Sequence, residues 1–211
     1  MRLYGDYVVK MTDMQFIEKY FSDMLHVIKD ISRDDISRVI DILFDAWKNG
    51  KKIYTMGNGG SASTASHFAA DLAKTSIVNG KERFKVIGLT DNIPLMSAWI
   101  NDNGFENLFT GQLGNFIEAG DVLVGFSVHG GSGSGSAGLW SQILLKAMKF
   151  AQDKGAKTIG FSGFDGGTFK KMCDACIVVP INSTPQVESF HVVLHHLIVF
   201  TLIEKIREYK I

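Results

Sequence analysis

Ile53-Tyr54-Thr55-Met56-Gly57-Asn58-Gly59-Gly60-Ser61-Ala62-Ser63-Thr64-Ala65-Ser66-His67-Phe68-Ala69-Ala70-Asp71 is the stretch on which the reading of this chain turns. Its first four residues read as a buried strand, the Gly/Ser cluster as a tight turn, and the remainder as a helix. A helix that opens on such a turn presents backbone N–H groups without intrahelical partners, and glycines let an anion come close to them. Asn58, Gly59 and Ser61 are therefore candidate contacts for a phosphate. His67 and Asp71 stand four apart, so they share one face of the helix. A phosphate cradle with a His–carboxylate pair one to two turns away points to chemistry on a phosphorylated small molecule.

Working outward, four more β-rich runs follow the strand at 53–56: Lys85 to Leu89, Val122 to Phe126, Thr158 to Phe161, and Ile177 to Val179. Helical patterns at 62–74, 95–116, 139–154 and 168–172 separate them, and a last helix is expected over 186–209. Strands that alternate with helices and are apolar on both faces imply a parallel sheet covered on both sides. Two amphipathic helices precede it. Phe16, Tyr20, Met24 and Val27 form the apolar face of the first; Ile36, Val39, Ile40, Leu43 and Trp47 form that of the second, which starts near Ser32 and ends at Asn49-Gly50. The expectation is one domain over 1–211, with a helical pair in 1–50 and an α/β core in 51–211. Ligands of open parallel sheets bind at the carboxyl ends of the strands, where both Gly57 and Ser127 fall.

Composition narrows the function. The chain has 211 residues, with 22 Lys+Arg against 22 Asp+Glu, so no global basic field favours nucleic acid and a phosphate site must be local. Zero net charge leans towards self-association. The first residues, Met1-Arg2-Leu3-Tyr4-Gly5-Asp6, lack the apolar core of a secretory signal, and no uninterrupted apolar run approaches a membrane span, so a cytoplasmic protein without a membrane partner is expected. Cys173 and Cys176 form a Cys-x-x-Cys pair just before an apolar run, open to a redox or metal role or to simple packing at the start of a strand.

Two further segments carry chemistry. Gly125-Phe126-Ser127-Val128-His129-Gly130-Gly131-Ser132 follows an apolar strand and continues into Gly133-Ser134-Gly135-Ser136. Because α/β units continue on both sides with the same period, this is a strand-to-helix loop over the site rather than a domain linker. Glu188-Ser189-Phe190-His191-Val192-Val193-Leu194-His195-His196 lies on the last helix. Glu188 and His196 are eight residues apart, about 800° of turn, so they come within roughly 80° of each other in phase. Two histidines with two carboxylates suit zinc or another divalent cation. His191 reads as core or as support for a ligand, and His195 as structural, about 100° in phase from His196.

These motifs, in this order, resemble the phosphoheptose isomerases of the sugar isomerase (SIS) fold. That family shows G-N-G-G-S followed by H-F-x-x-E, then S-T-S-G-N-S, then Q-E-x-H-x-x-x-x-H. The resemblance implies a flavodoxin-like three-layer α/β sandwich with a five-stranded parallel sheet, whose N-terminal helices build a homotetramer. It implies that sedoheptulose 7-phosphate is isomerised to D-glycero-D-manno-heptose 7-phosphate through an enediol, with Asp71 as base and His196 as acid. His67, Asp71, Glu188 and His196 would hold zinc. Ser61, Ser127 and Ser132 would hold the phosphate, and Asp91, matching a family aspartate, would contact substrate unless it serves only as a helix cap. Four departures stand out: Asp71 replaces Glu, Glu188 replaces Gln, His129 replaces the middle serine of the second loop, and about nine extra residues follow it. Within that insertion Ser134, Ser136 or Ser141 are alternatives to Ser132. The departures leave open an isomerase of another sugar phosphate, or a non-catalytic sugar-phosphate-binding regulator or scaffold.

Overall fold

A computed structural model describes residues 11–131 and 136–210. Five strands form one parallel sheet: β1 (Lys52–Gly57), β2 (Lys85–Gly88), β3 (Val122–Phe126), β4 (Lys157–Gly163) and β5 (Ala175–Val179). Their spatial order is β2-β1-β3-β4-β5. Alternate residues of each strand face opposite layers. Ile53, Val122, Val124, Phe126, Ile159, Phe161, Ile177 and Val179 pack under α2 (Arg33–Lys48), α3 (Gly60–Ala70) and α8 (Thr184–Glu208). Tyr54, Met56 and Leu123 pack under α5 (Leu108–Gly114), α6 (Ser136–Asp153) and α7 (Phe169–Met172). The result is the expected three-layer α/β sandwich.

Local chemistry sets the helix ends. The Ser32 side chain accepts from Asp35 N and starts α2. Thr12 and Gln15 form a reciprocal capping box at the start of α1 (Asp13–Asp30). Most of α1 lies outside the core: Val27 is buried, Tyr20 and Met24 are half-buried, and Phe16, Phe21 and Leu25 are about 60 % exposed. The single helix expected over 95–116 is broken into α4 (Ile93–Asn103) and α5, joined by a 3₁₀ turn at Phe105–Asn107. Gly104, at φ +86°, makes the break. The capping role considered for Asp91 falls to Asn92, whose side chain accepts from Leu95 N. By length and composition α8 could cross a membrane, although histidines interrupt its apolar run. In this fold Leu194, Ile198, Val199 and Leu202 on that helix are packed into the core.

The strand order reverses between β1 and β3, since β1 connects onward to β2 on one side and β3 lies on the other. Gly57 pairs with Phe126 in the β1–β3 register, so the turn after β1 and the loop after β3 leave the sheet side by side. Crevices at such switch points are where α/β sheets take their ligands.

Candidate active site

The turn after β1 requires its first glycine. A β-carbon on Gly57 would lie 2.4 Å from the backbone oxygen of Ser61. Gly59 occupies the cap position at φ +56°, and α3 begins at Gly60 without a side-chain cap hydrogen bond. Asn58 is half-buried, Gly59 exposed, and Ser61 buried at the start of the helix. On the neighbouring strand end Ser127 is buried, and its Oγ accepts from Gly131 N at 3.2 Å. Val128 and Gly130 hold the loop by accepting from Gly163 N and Phe169 N, each at 2.9 Å. His129 is exposed and packs on the Phe164 ring, with centroids 4.4 Å apart. Ser132 and Ser134 lie outside the described residues. Asp91 reaches across from the end of β2 to accept from Ser66 Oγ on α3, and Ser66 also contacts Thr90 Oγ1 at 2.9 Å.

The second half of the site lies further along α3. Asp71 stands where the helix widens into a single π-type turn, Asp71–Thr75, closed by Ser76 N donating to Asp71 O at 2.9 Å. Such turns recur at functional sites. Thr75 Oγ1 donates to Asp71 Oδ1 at 2.9 Å and orients the carboxylate. Its other oxygen, Oδ2, faces His196 Nε2 at 3.4 Å, His67 Nε2 at 3.5 Å and His195 Nδ1 at 3.6 Å. These four ligand atoms lie within 4.8 Å of one another. His67 and His196 are 47 % and 42 % exposed at the side chain, whereas His195 is fully buried. Burial, helped by His196 and His67 and opposed by Asp71, pushes the His195 pKa down to about 4, leaving a neutral imidazole competent as a ligand.

The arrangement fits a cation by an observation that is independent of any family. Among the described residues Asp71 Oδ2 and both ring nitrogens of His195 are buried without a hydrogen-bond partner, as are Tyr54 OH and His191 Nδ1. Buried polar atoms are costly when unpaired, and here unpaired acceptors converge.

Of the residues expected to hold a metal, His67, Asp71 and His196 come together. Glu188 is not one of the four. Its carboxylate lies over the first turn of α3, where a β-carbon on Gly60 would be 2.5 Å from its Oε1. Glu188 stands eight residues before His196, about 12 Å away along the helix axis and about 80° away around it. His195 is the fourth member of the cluster. Sequence did carry a signal for it, because adjacent histidines on one helix can flank a group lying between them, as Asp71 does. His191, one turn earlier, is buried and donates through Nε2 to Ser162 O at 3.2 Å, a core position. Cys173 and Cys176 are free thiols outside the cluster; burial pushes the Cys176 thiol up to about 11. Cys176 packs within β5.

The SIS domain model matches residues 15–163. The chain belongs to the phosphoheptose isomerase family of SIS-domain proteins. A phosphoheptose isomerase from a Nitratiruptor species is 39 % identical over 157 residues, covering 74 % of this chain and 79 % of that one. The lincomycin biosynthesis protein LmbN of Streptomyces lincolnensis is 40 % identical over 189 residues, covering 88 % of this chain and 68 % of its own. Among solved structures, phosphoheptose isomerase GmhA from Neisseria gonorrhoeae superposes with a TM-score of 0.77 at 27 % identity, covering 90 % of this chain and 98 % of that one. The chain is thus an aldose–ketose isomerase of the sugar-phosphate class.

Proposed function

We propose that the protein interconverts sedoheptulose 7-phosphate and D-glycero-D-manno-heptose 7-phosphate, with a divalent cation at the His/Asp cluster. The observation that carries the reading is the pairing of a glycine-rich helix start at a strand-order switch with an acid–base cluster further down the same helix. From Gly60 to His67 is seven residues, a rise of about 10 Å, a separation suited to a sugar chain held by its phosphate at one end and reacting at the other. Backbone N–H groups at Gly59–Ser61 and the hydroxyls of Ser61 and Ser127 would hold the phosphate. Asn58, Asp91, His129 and Glu188 would line the sugar.

In the forward reaction a proton leaves C1 of the ketose while the C2 carbonyl oxygen gains one, giving the enediol. The C1 hydroxyl then loses its proton and C2 gains one, giving the aldehyde. Access divides the roles. Asp71 Oδ2 is sealed behind the rings, so we assign Asp71 to orienting the histidines and the cation rather than to the base expected from sequence. His196, half exposed at the cluster's edge, is the proton carrier. A divalent cation held by His67, Asp71 and His196 would polarise the substrate carbonyl. The exposed apolar residues of α1, Phe16, Phe21 and Leu25, support a homotetramer built through that helix.

A second reading, the same chemistry on a different sugar phosphate, is favoured by Asp71 and Glu188 standing where the family motif has Glu and Gln, and by the similarity to a lincomycin biosynthesis protein. The deciding test is turnover of sedoheptulose 7-phosphate by the purified protein, whose solution mass should be that of four chains, with and without zinc. Zinc-dependent turnover that falls by about 100- to 10,000-fold in His196→Ala supports the first reading. A folded, zinc-binding protein that leaves this substrate untouched supports the second.

A further inference from the structure

We infer that His195 is a permanent ligand of the cation centre and takes the place that the family motif gives to Glu188, leaving half-exposed His196 as an exchangeable corner. The inference rests on reading the cluster as a cation site. Three observations carry it beyond that reading. First, His195 is fully buried with both ring nitrogens unpartnered, and Nδ1 faces an Asp71 oxygen that is also buried and unpartnered. A histidine packed only to fill space would be more stable as an apolar residue of its size.

Second, the three distances from Asp71 Oδ2 are near the edge of a coordination tetrahedron, within a set of four atoms that all lie within 4.8 Å of one another. A tetrahedron with metal–ligand bonds of about 2.0–2.1 Å has edges of about 3.3–3.4 Å. The edges from Asp71 Oδ2 are 3.4 Å to His196, 3.5 Å to His67 and 3.6 Å to His195. Hydrogen-bonded pairs would sit closer, near 2.8 Å. Third, the ligands differ in freedom. Asp71 is held by Thr75 and its side chain is 14 % exposed; His195 is enclosed. His67 and His196 are the half-exposed pair. Catalytic zinc sites keep three protein ligands and one exchangeable position, whereas four fixed ligands close the sphere. With His195 and Asp71 as the enclosed ligands, one of the half-exposed pair can leave the cation to a substrate oxygen, and we assign that corner to His196, the proton carrier.

The test measures Co²⁺ and Zn²⁺ binding directly, apart from turnover, on the full chain. The wild type should bind one Co²⁺ per site with the intense visible absorption of a tetrahedral centre. His195→Ala should lose at least 100-fold in affinity, His196→Ala about 10-fold or less, and Glu188→Gln should stay within 3-fold of wild type. Zinc-edge X-ray absorption on the unaltered protein, which needs no variant to fold, should count three imidazoles. Wild-type affinity in His195→Ala, a large loss in Glu188→Gln, or a count of two imidazoles would overturn the assignment while leaving the cation site standing. A wild type that binds neither metal yet turns over sugar phosphate would overturn the cation reading as well, and would leave the isomerase intact.

Discussion

His191 and His195 sit one turn apart on the same buried face of α8, and both are fully enclosed. His191 donates to a strand carbonyl, Ser162 O, and meets the rings of Phe126 and Phe161 edge-on. His195 has neither nitrogen engaged and lies against His67, His196 and Asp71. The same residue type, with the same burial and on the same helix, belongs to the core in one case and to the site in the other. What separates them is the destination of the ring nitrogens. Burial alone marks no function, and neither does one unpaired atom, since His191 Nδ1 is also without a partner among the described residues; His195 is set apart because its unpaired nitrogen faces an unpaired carboxylate oxygen beside two further histidines.

The sharpest way to break this comparison is to give both positions the same residue. His195→Leu should lose cation affinity by at least two orders of magnitude, yet its metal-free stability should equal or exceed that of the wild type, because two unpaired nitrogens leave the interior. His191→Leu should bind the cation normally and keep its turnover, while losing about 1 kcal/mol as the Ser162 carbonyl loses its donor. Cation titration and urea denaturation of both variants read the two effects separately. If both variants lost stability alone, the two histidines would be equivalent core residues.

Acid provides a second handle, of intermediate size. Burial pushes His191 down to about 4 from an ordinary value of 6.5. In the unfolded chain the ring takes up a proton below 6.5, and in the folded chain only near 4. The stability that the neutral ring contributes is therefore fully present above pH 6.5 and drains away as pH falls to 4. By pH 5 the loss from one such histidine is about 2 kcal/mol. Urea midpoints at pH 7 and pH 5 should differ by less in His191→Leu than in wild type. An unchanged difference would mean that the ring is not held neutral by the core.

The distinction between the two histidines was not legible in the sequence, although much of the frame was. All five strands stand where the apolar runs placed them, with Val122–Phe126 matching at both ends; β1, β3, β4 and β5 are buried on both faces and so write themselves as continuous apolar runs, whereas edge strand β2 is partly exposed. The order β2-β1-β3-β4-β5 has no such local signature. The break at Gly104 was hidden because α4 and α5 share one helical pattern and a single glycine interrupts it only through its positive φ. At the site, angles around α8 were compared and the rise along it was left out. Glu188 lies two turns along the axis from His196 and about 80° around it, whereas His195, next to His196, is level with Asp71. A helical wheel discards that coordinate.

The smallest predicted effect probes how that level is held. Thr75 lies four residues beyond Asp71 in the π-type turn, and its hydroxyl donates to Asp71 Oδ1. The turn carries the threonine on the same side as the carboxylate, so one oxygen is fixed by the protein and the other is left for the three imidazoles. Thr75→Val keeps the shape of the side chain and removes the donor. Groups that orient a ligand in this way are commonly worth 10- to 100-fold in metal affinity. Thr75 is exposed, so water can replace part of its bond and the lower end, about 10-fold, is expected. Competition for Co²⁺ against a chelator of known affinity would measure it. The cobalt spectrum should shift as the carboxylate gains freedom, while the metal-free melting temperature stays within a few degrees of wild type. Thr75→Ser, which restores the hydroxyl, should recover most of the affinity. If Val and Ser behave alike, the carboxylate is oriented by the histidines themselves, and the enclosed ring of His195 becomes the fixed point of the centre.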